Sequence, residues 1–274
     1  DISNQATFIS FATTAEQCQG YCVDLGNIQN DFNYLNIDVP GLNEQAGDAY
    51  VADRNGLSIN ANVRSLTVDA NMYLEEHEHP GDVVLANGVD NAAGFFYVAT
   101  DLAVNSNGGN ILQNGALNVG GTSRFDATRF VYNEETYELT EEERGDILLC
   151  NPGNQLTSYV SLLGNDIVLT NGKELNLARV EAGAMWDGER AVDATGRVNI
   201  STTVGNLNVW GPVVTTYDEG VAVVLAAGTS RGVYDRVRYN GTWLPTANEP
   251  IYDVIFRSAV YNETGPYVEG NANT

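Results

Sequence analysis

The stretch GTSRFDATRFVYN, Gly121 to Asn133, returns later in the chain as GTSRGVYDRVRYN, Gly228 to Asn240, at a constant offset of 107 residues. The two agree at seven of thirteen positions: the opening Gly-Thr-Ser-Arg, then Arg129, Tyr132 and Asn133 against Arg236, Tyr239 and Asn240. Outward from there the likeness continues with small gaps. Asp146-Ile147-Leu148-Leu149 parallels Asp253-Val254-Ile255-Phe256, and Leu66-Thr67-Val68 resembles Leu175-Asn176-Leu177. A duplication of this kind implies one folding unit built twice, over residues 47–150 and again over 151–274 with a C-terminal tail.

Both copies read as β structure. Short runs of Val, Ile, Leu, Thr and Tyr are divided by Asn-Gly pairs at 55–56, 87–88, 114–115, 171–172 and 240–241. Asn-Gly accepts the positive φ of a type I′ turn, the strongest short hairpin signal. Ile167–Thr170 followed by Lys173–Val180 is one expected hairpin, and Val233–Tyr239 followed by Thr242–Leu244 another. The expected fold is therefore mainly β, with two tandem duplicated antiparallel β-sandwich or jelly-roll-like domains.

Residues 1–46 read as an N-terminal arm. Thr13 and Glu16 form a capping box, and Cys18, Tyr21, Leu25, Ile28, Phe32 and Leu35 recur at three- and four-residue steps. This predicts an amphipathic helix over about 14–36, whose Leu25, Ile28 and Phe32 would meet a neighbouring surface. The chain opens at Asp1 rather than Met, which is read as a processed start.

Charge narrows the function classes. The 274 residues carry 36 acids against 13 bases, a formal net charge of −23, and Lys173 is the single lysine. Such a polyanion repels nucleic-acid phosphates and anionic membranes. The longest apolar run, Val221–Ala227, is too short to span a bilayer. Surplus carboxylate with almost no lysine fits a saline medium, where a short screening length relieves self-repulsion. Three cysteines, two of them four apart at Cys18 and Cys22, do not make a disulfide framework.

Few patterns carry chemistry. Glu75, His77 and His79 alternate, so on a strand they share one face and could bind a metal ion. His77-x-His79-Pro80-Gly81, with Gly88 further on, resembles the first metal motif of the cupin family, which is itself a β barrel. That resemblance implies a metal-dependent enzyme. Asp82 stands where the family has a glutamate, and no histidine follows His79 to complete a second motif. Gly228-Thr-Ser230-Arg-Gly232 fits a nucleophile-elbow pattern, yet no histidine follows Ser230 to act as its base.

Arg124, Arg129, Arg231 and Arg236 occupy matched positions of the two copies. They are read as braces to acids such as Asp126, Asp146, Asp235 and Asp253, or as interface residues. Asn199, Asn240 and Asn262 fit the glycosylation sequon.

Scarce catalytic residue types, a duplicated β unit and an apolar-striped arm together indicate a non-enzymatic structural subunit of an extracellular assembly adapted to high salt. The expected partners are copies of itself or homologous subunits, with neither nucleic acid nor membrane insertion, and no cofactor is expected apart from the metal-ion alternative at His77 and His79. By architectural analogy with double-jelly-roll capsid proteins and duplicated tail-tube proteins, a virion protein is the leading expectation, with a cell-surface filament or layer next. A cupin-like metal enzyme and a carbohydrate-binding β-sandwich protein are the remaining alternatives. For the latter, Trp186, Trp210, Trp243 and fourteen tyrosines supply aromatic rings.

Overall fold

The computed structural model describes residues 6–9, 23–39, 47–72, 80–87, 94–133, 138–183, 196–215, 222–228 and 254–256. Among these there are 24 strands and no helix. Alternation sets the strands. In Ile167–Asn171 the apolar Ile167 and Leu169 point inward with Asn171, while Val168 and Thr170 stand outward and half-buried.

The partners of each strand come from far along the chain, and they run the same way. In one sheet Leu35 pairs with Ile59, Ile59 with Leu85, and Leu85 with Gln113. In the other, Val51 pairs with Val68, Val68 with Val104, Val104 with Phe125 and Phe125 with Leu162. The chain thus visits two sheets in turn and advances one rung in each at every pass. The result is a parallel β-solenoid, with coils of roughly 20–40 residues, inside the range expected for stacked repeats. The two sheets hold 12 and 10 strands; the only antiparallel pair among the described residues is a separate hairpin, Thr128–Asn133 with Glu138–Arg144.

The 12-stranded sheet curls. The first half of Ser58–Val63 pairs with Val83–Leu85 and its second half with Phe96–Val98. Later coils repeat the break, as Ile111–Gln113 and Asn118–Val119, then Ile147–Leu149 and Gln155–Leu156. Ala86, at φ 52°, turns the chain at the first of these breaks. Inside the curl, one apolar cluster runs from Val23 to Val254, with Phe125, Leu35, Ile59, Leu85 and Ile147 fully buried.

Polar side chains pin the corners. Where the chain enters the curled sheet, Asn110 Oδ1 accepts from the Asp146 N–H (2.7 Å), Asp146 Oδ1 from the Asp166 N–H (3.0 Å), and Asp166 Oδ1 from the Arg197 N–H (2.8 Å). One residue earlier, Gly81, Gly109 and Gly145 stack so tightly that a Cβ on Gly109 would strike the Gly81 carbonyl, and one on Gly145 the Gly109 carbonyl. Asn154 and Asn171 are fully buried and serve neighbouring coils: Asn154 bonds to Leu149, Thr170, Leu117 and Gln113, and Asn171 to Leu156, Lys173 and Glu174.

Three expectations are corrected by this architecture. The chain forms neither antiparallel sandwiches nor jelly rolls, so the analogy with double-jelly-roll proteins loses its basis. A half-buried sheet ordinarily signals antiparallel pairing, because parallel sheets are usually covered on both faces. A solenoid leaves the outer face of a parallel sheet open and so gives the same alternation. Nor do Ile167–Asn171 and Leu175–Ala182 form a hairpin: Asn171-Gly172 is a corner between sheets, with the Asn side chain turned inward to hydrogen-bond backbone. The predicted helical arm gives way to strands Val23–Leu25 and Tyr34–Asp38, within which Leu35 and Ile37 are buried at a two-residue step. Residues 14–22 of that expected helix lie outside the described residues.

Candidate functional site

Glu75, His77 and His79 lie outside the described residues; the flanking residues on either side are described. Asn71, at φ 55°, donates from Nδ2 to the carbonyls of Gly81 (2.8 Å) and Ser106 (2.6 Å) and accepts from the Gly81 N–H (2.8 Å). Asp82, which follows, accepts from Asn110 Nδ2 at 2.9 Å and is thereby tied to the corner ladder. No group of three or more His, Cys, Asp or Glu side chains with metal-binding geometry occurs among the described residues.

Arg124 is exposed and its guanidinium meets Asp126 Oδ2 at 2.8 Å, while Asp126 Oδ1 also accepts from the Thr128 N–H. Asp146 serves the corner ladder, bonded by Asn165 and Asp166. Arg129 packs beside Gly108 at the root of the hairpin. Leu25 and Phe32 are half-buried against the core, whereas Ile28 is exposed in the turn between strands. Asn199 projects outward from Val198–Thr202. Arg231, Arg236, Asn240 and Asn262 lie outside the described residues.

The features that stand out are the outer faces, and sequence reasoning missed both. On the curled sheet, strand register sets Tyr34, Ser58, Val84, Leu112, Leu148, Val168, Asn199 and Val224 in one outward column. Adjacent members sit one strand apart, roughly 4.8 Å. Six of the eight are apolar or aromatic and none is charged, in a chain with a net charge of −23. Beside it, two residues back on each strand, runs the polar corner row Asp82, Asn110, Asp146, Asp166 and Arg197. An apolar strip with a polar rim is the composition of a contact surface.

The second sheet differs. Outward from it stand Tyr159 and Trp210, each nearly half exposed, with ring centroids 6.1 Å apart and planes at 75°. Asn176 pairs with Tyr159 on one side and Asn208 on the other. Its Oδ1 accepts from both Trp210 Nε1 and Asn208 Nδ2, each at 3.1 Å. Nearby, Arg179 donates from Nε to Glu181 Oε1 at 2.7 Å. Trp210 could be noticed in the sequence, but its meeting with Tyr159 depends on coil stacking.

A buried carboxyl is the other feature the sequence hid. Asp53 is fully buried, with Oδ2 accepting from the Phe32 N–H (2.8 Å) and Oδ1 from the Asn55 N–H (3.1 Å). Burial pushes its pKa up to about 7, against the opposing pull of those two N–H groups.

A family model described as "Repeats of unknown function (DUF5649)" matches residues 80–132. That span holds two successive coils, Val83–Leu85 with Phe96–Val98 and Leu102–Asn105, then Ile111–Gln113 with Asn118–Val119 and Ser123–Asp126. No curated protein and no solved structure matches the chain.

Proposed function

We propose that the chain is a non-enzymatic structural subunit that associates with copies of itself in an extracellular assembly, such as a filament, a surface layer or a virion component. The uncharged outward column from Tyr34 to Val224 carries this reading. Polyanionic copies repel one another at most approaches, and contact is cheapest where carboxylates are absent and apolar surface can be buried. Hydrogen-bonded strands hold the column in register, so it presents one continuous strip to a second copy. A surface rich in acids and nearly free of lysine suits such an assembly to a saline medium.

Sedimentation velocity on the purified chain tests the proposal. Self-association that strengthens with added salt is expected. Leu148→Glu, which places a charge in mid-column on an outward position, is expected to shift the protein to monomer with its thermal transition intact. A wild type that remains monomeric at low and high salt overturns the reading, as does a Leu148→Glu protein that associates unchanged.

A further inference from the structure

The outer face of the second sheet is separate from the proposed self-association column, and its chemistry is different. Tyr159 and Trp210 meet edge to face, so their exposed surfaces form two walls of a shallow corner. Asn176 fixes one wall: accepting from Trp210 Nε1, it holds the indole and satisfies its polar atom. Asn208, 5 % exposed, is aligned by its own bond to the same oxygen. After these bonds the Asn176 Nδ2 group and Asn208 Oδ1 have no partner among the described residues. One open donor and one open acceptor thus stand beside an apolar corner. At the margin Arg179 pairs with Glu181, whose other carboxylate oxygen faces Arg144 at 3.9 Å.

We propose that this corner binds a neutral carbohydrate. A pyranose ring is matched to it in size: one face of C–H bonds packs on an aromatic ring, and its hydroxyls both donate and accept. An amide pair offering one donor and one acceptor meets adjacent hydroxyls, and a few convergent polar groups on an apolar wall are what orient a small ligand. Size argues against another protein as the occupant. Two rings less than half exposed offer on the order of 200 Å². A stable protein contact needs about 800 Å² on each partner. Charge argues against an acidic glycan, because the chain's field repels anions and the nearby Arg179 is already paired with Glu181.

Binding of the full chain to an array of neutral and acidic oligosaccharides, followed by calorimetry with the strongest neutral binder, tests this. Retention of neutral oligosaccharides is expected, with Trp210→Ala weakening the interaction at least tenfold. Asn176→Asp keeps the oxygen that holds Trp210 and removes the open donor, so it too should weaken binding, with the fold undisturbed. Phe130→Ala, an equally exposed aromatic on the hairpin, should bind as the wild type does. The proposal falls if no neutral oligosaccharide is retained, or if Trp210→Ala and Asn176→Asp bind as tightly as wild type. It falls equally if Trp210→Ala alters sedimentation while glycans are ignored, since the corner is then a protein contact. None of these substitutions touches the column on the curled sheet, so the outcome is independent of the self-association test.

Discussion

Asp53 reverses the usual dependence of stability on acid. Its carboxyl keeps a proton in the folded chain up to about pH 7, while in the unfolded chain it gives one up near 3.8. Between those values the folded state binds more protons, so stability falls as pH rises from about 4 to 7, and the full cost is present above that. Asp48 behaves the opposite way. Hydrogen bonds from Arg64, at 2.8 Å to Oδ1 and 2.5 Å to Oδ2, hold its pKa below the ordinary value. Its contribution is present above about pH 4 and fades as pH drops further; being partly exposed, it is worth only about 0.5–1 kcal/mol. Denaturant unfolding across pH at fixed salt should therefore show the wild type losing about 2–4 kcal/mol between pH 4 and 8 through Asp53. Asp53→Asn should flatten that decline, and equal slopes in the two proteins would refute the assignment. No sequence signal marks the burial of Asp53: the Asn55 N–H is local, but the Phe32 N–H reaches the carboxyl only because the preceding coil stacks there.

At the scale of elements, the strands were legible and their partners were not. Leu66–Asp69 and Ile167–Asn171 alternate as strands should, and both are strands. Nothing in two-residue alternation says whether a neighbour runs parallel, and the Asn-Gly pairs suggested hairpins where the chain turns corners. Asn171 shows why: its side chain is spent on backbone groups of its own corner and of Leu156 on the coil before. Asn171→Ala leaves the buried Leu156 N–H and several carbonyls without partners, and a loss of about 3 kcal/mol is expected in denaturant unfolding. An unchanged midpoint would show that the corner is held by other means. Gly109→Ala should be at least as damaging, because a methyl group there collides with the Gly81 backbone rather than with a side chain that could rotate away. The three- and four-residue spacing from Leu25 to Leu35 was misleading for a related reason. Ile28 is an exposed turn residue, and Asn30 ties that turn to Leu25 O and Ala52 O. Neither outer face could be seen beforehand, since Val84, Leu112 and Leu148 become neighbours only through parallel register.

For the molecule as a whole, the net charge of −23 sets the response to salt. Stacked coils bring the acids of successive turns close together, and their mutual repulsion opposes folding. Raising sodium chloride from about 0.1 M to 1 M shortens the screening length from about 10 Å to 3 Å. The thermal midpoint should rise by several degrees over that range, as followed by circular dichroism, and a midpoint insensitive to salt would show that the acids are already neutralised locally. Because each coil touches mainly its neighbours, stability is close to a sum of local terms, and partial unfolding from weaker coils is expected before the centre melts.

The antiparallel hairpin has a closed root. The Gly145 N–H donates to the Ala127 carbonyl at 2.9 Å, so the chain leaves the solenoid and returns to it at almost the same point. Ala127 and Gly145 are in turn bonded onward, to Leu163 and Asn165 of the following coil. The trunk is therefore already joined beneath this branch. A tight turn grafted from Ala127 to Gly145 would leave the stacked rungs in place, and a foreign loop could be carried there as cargo.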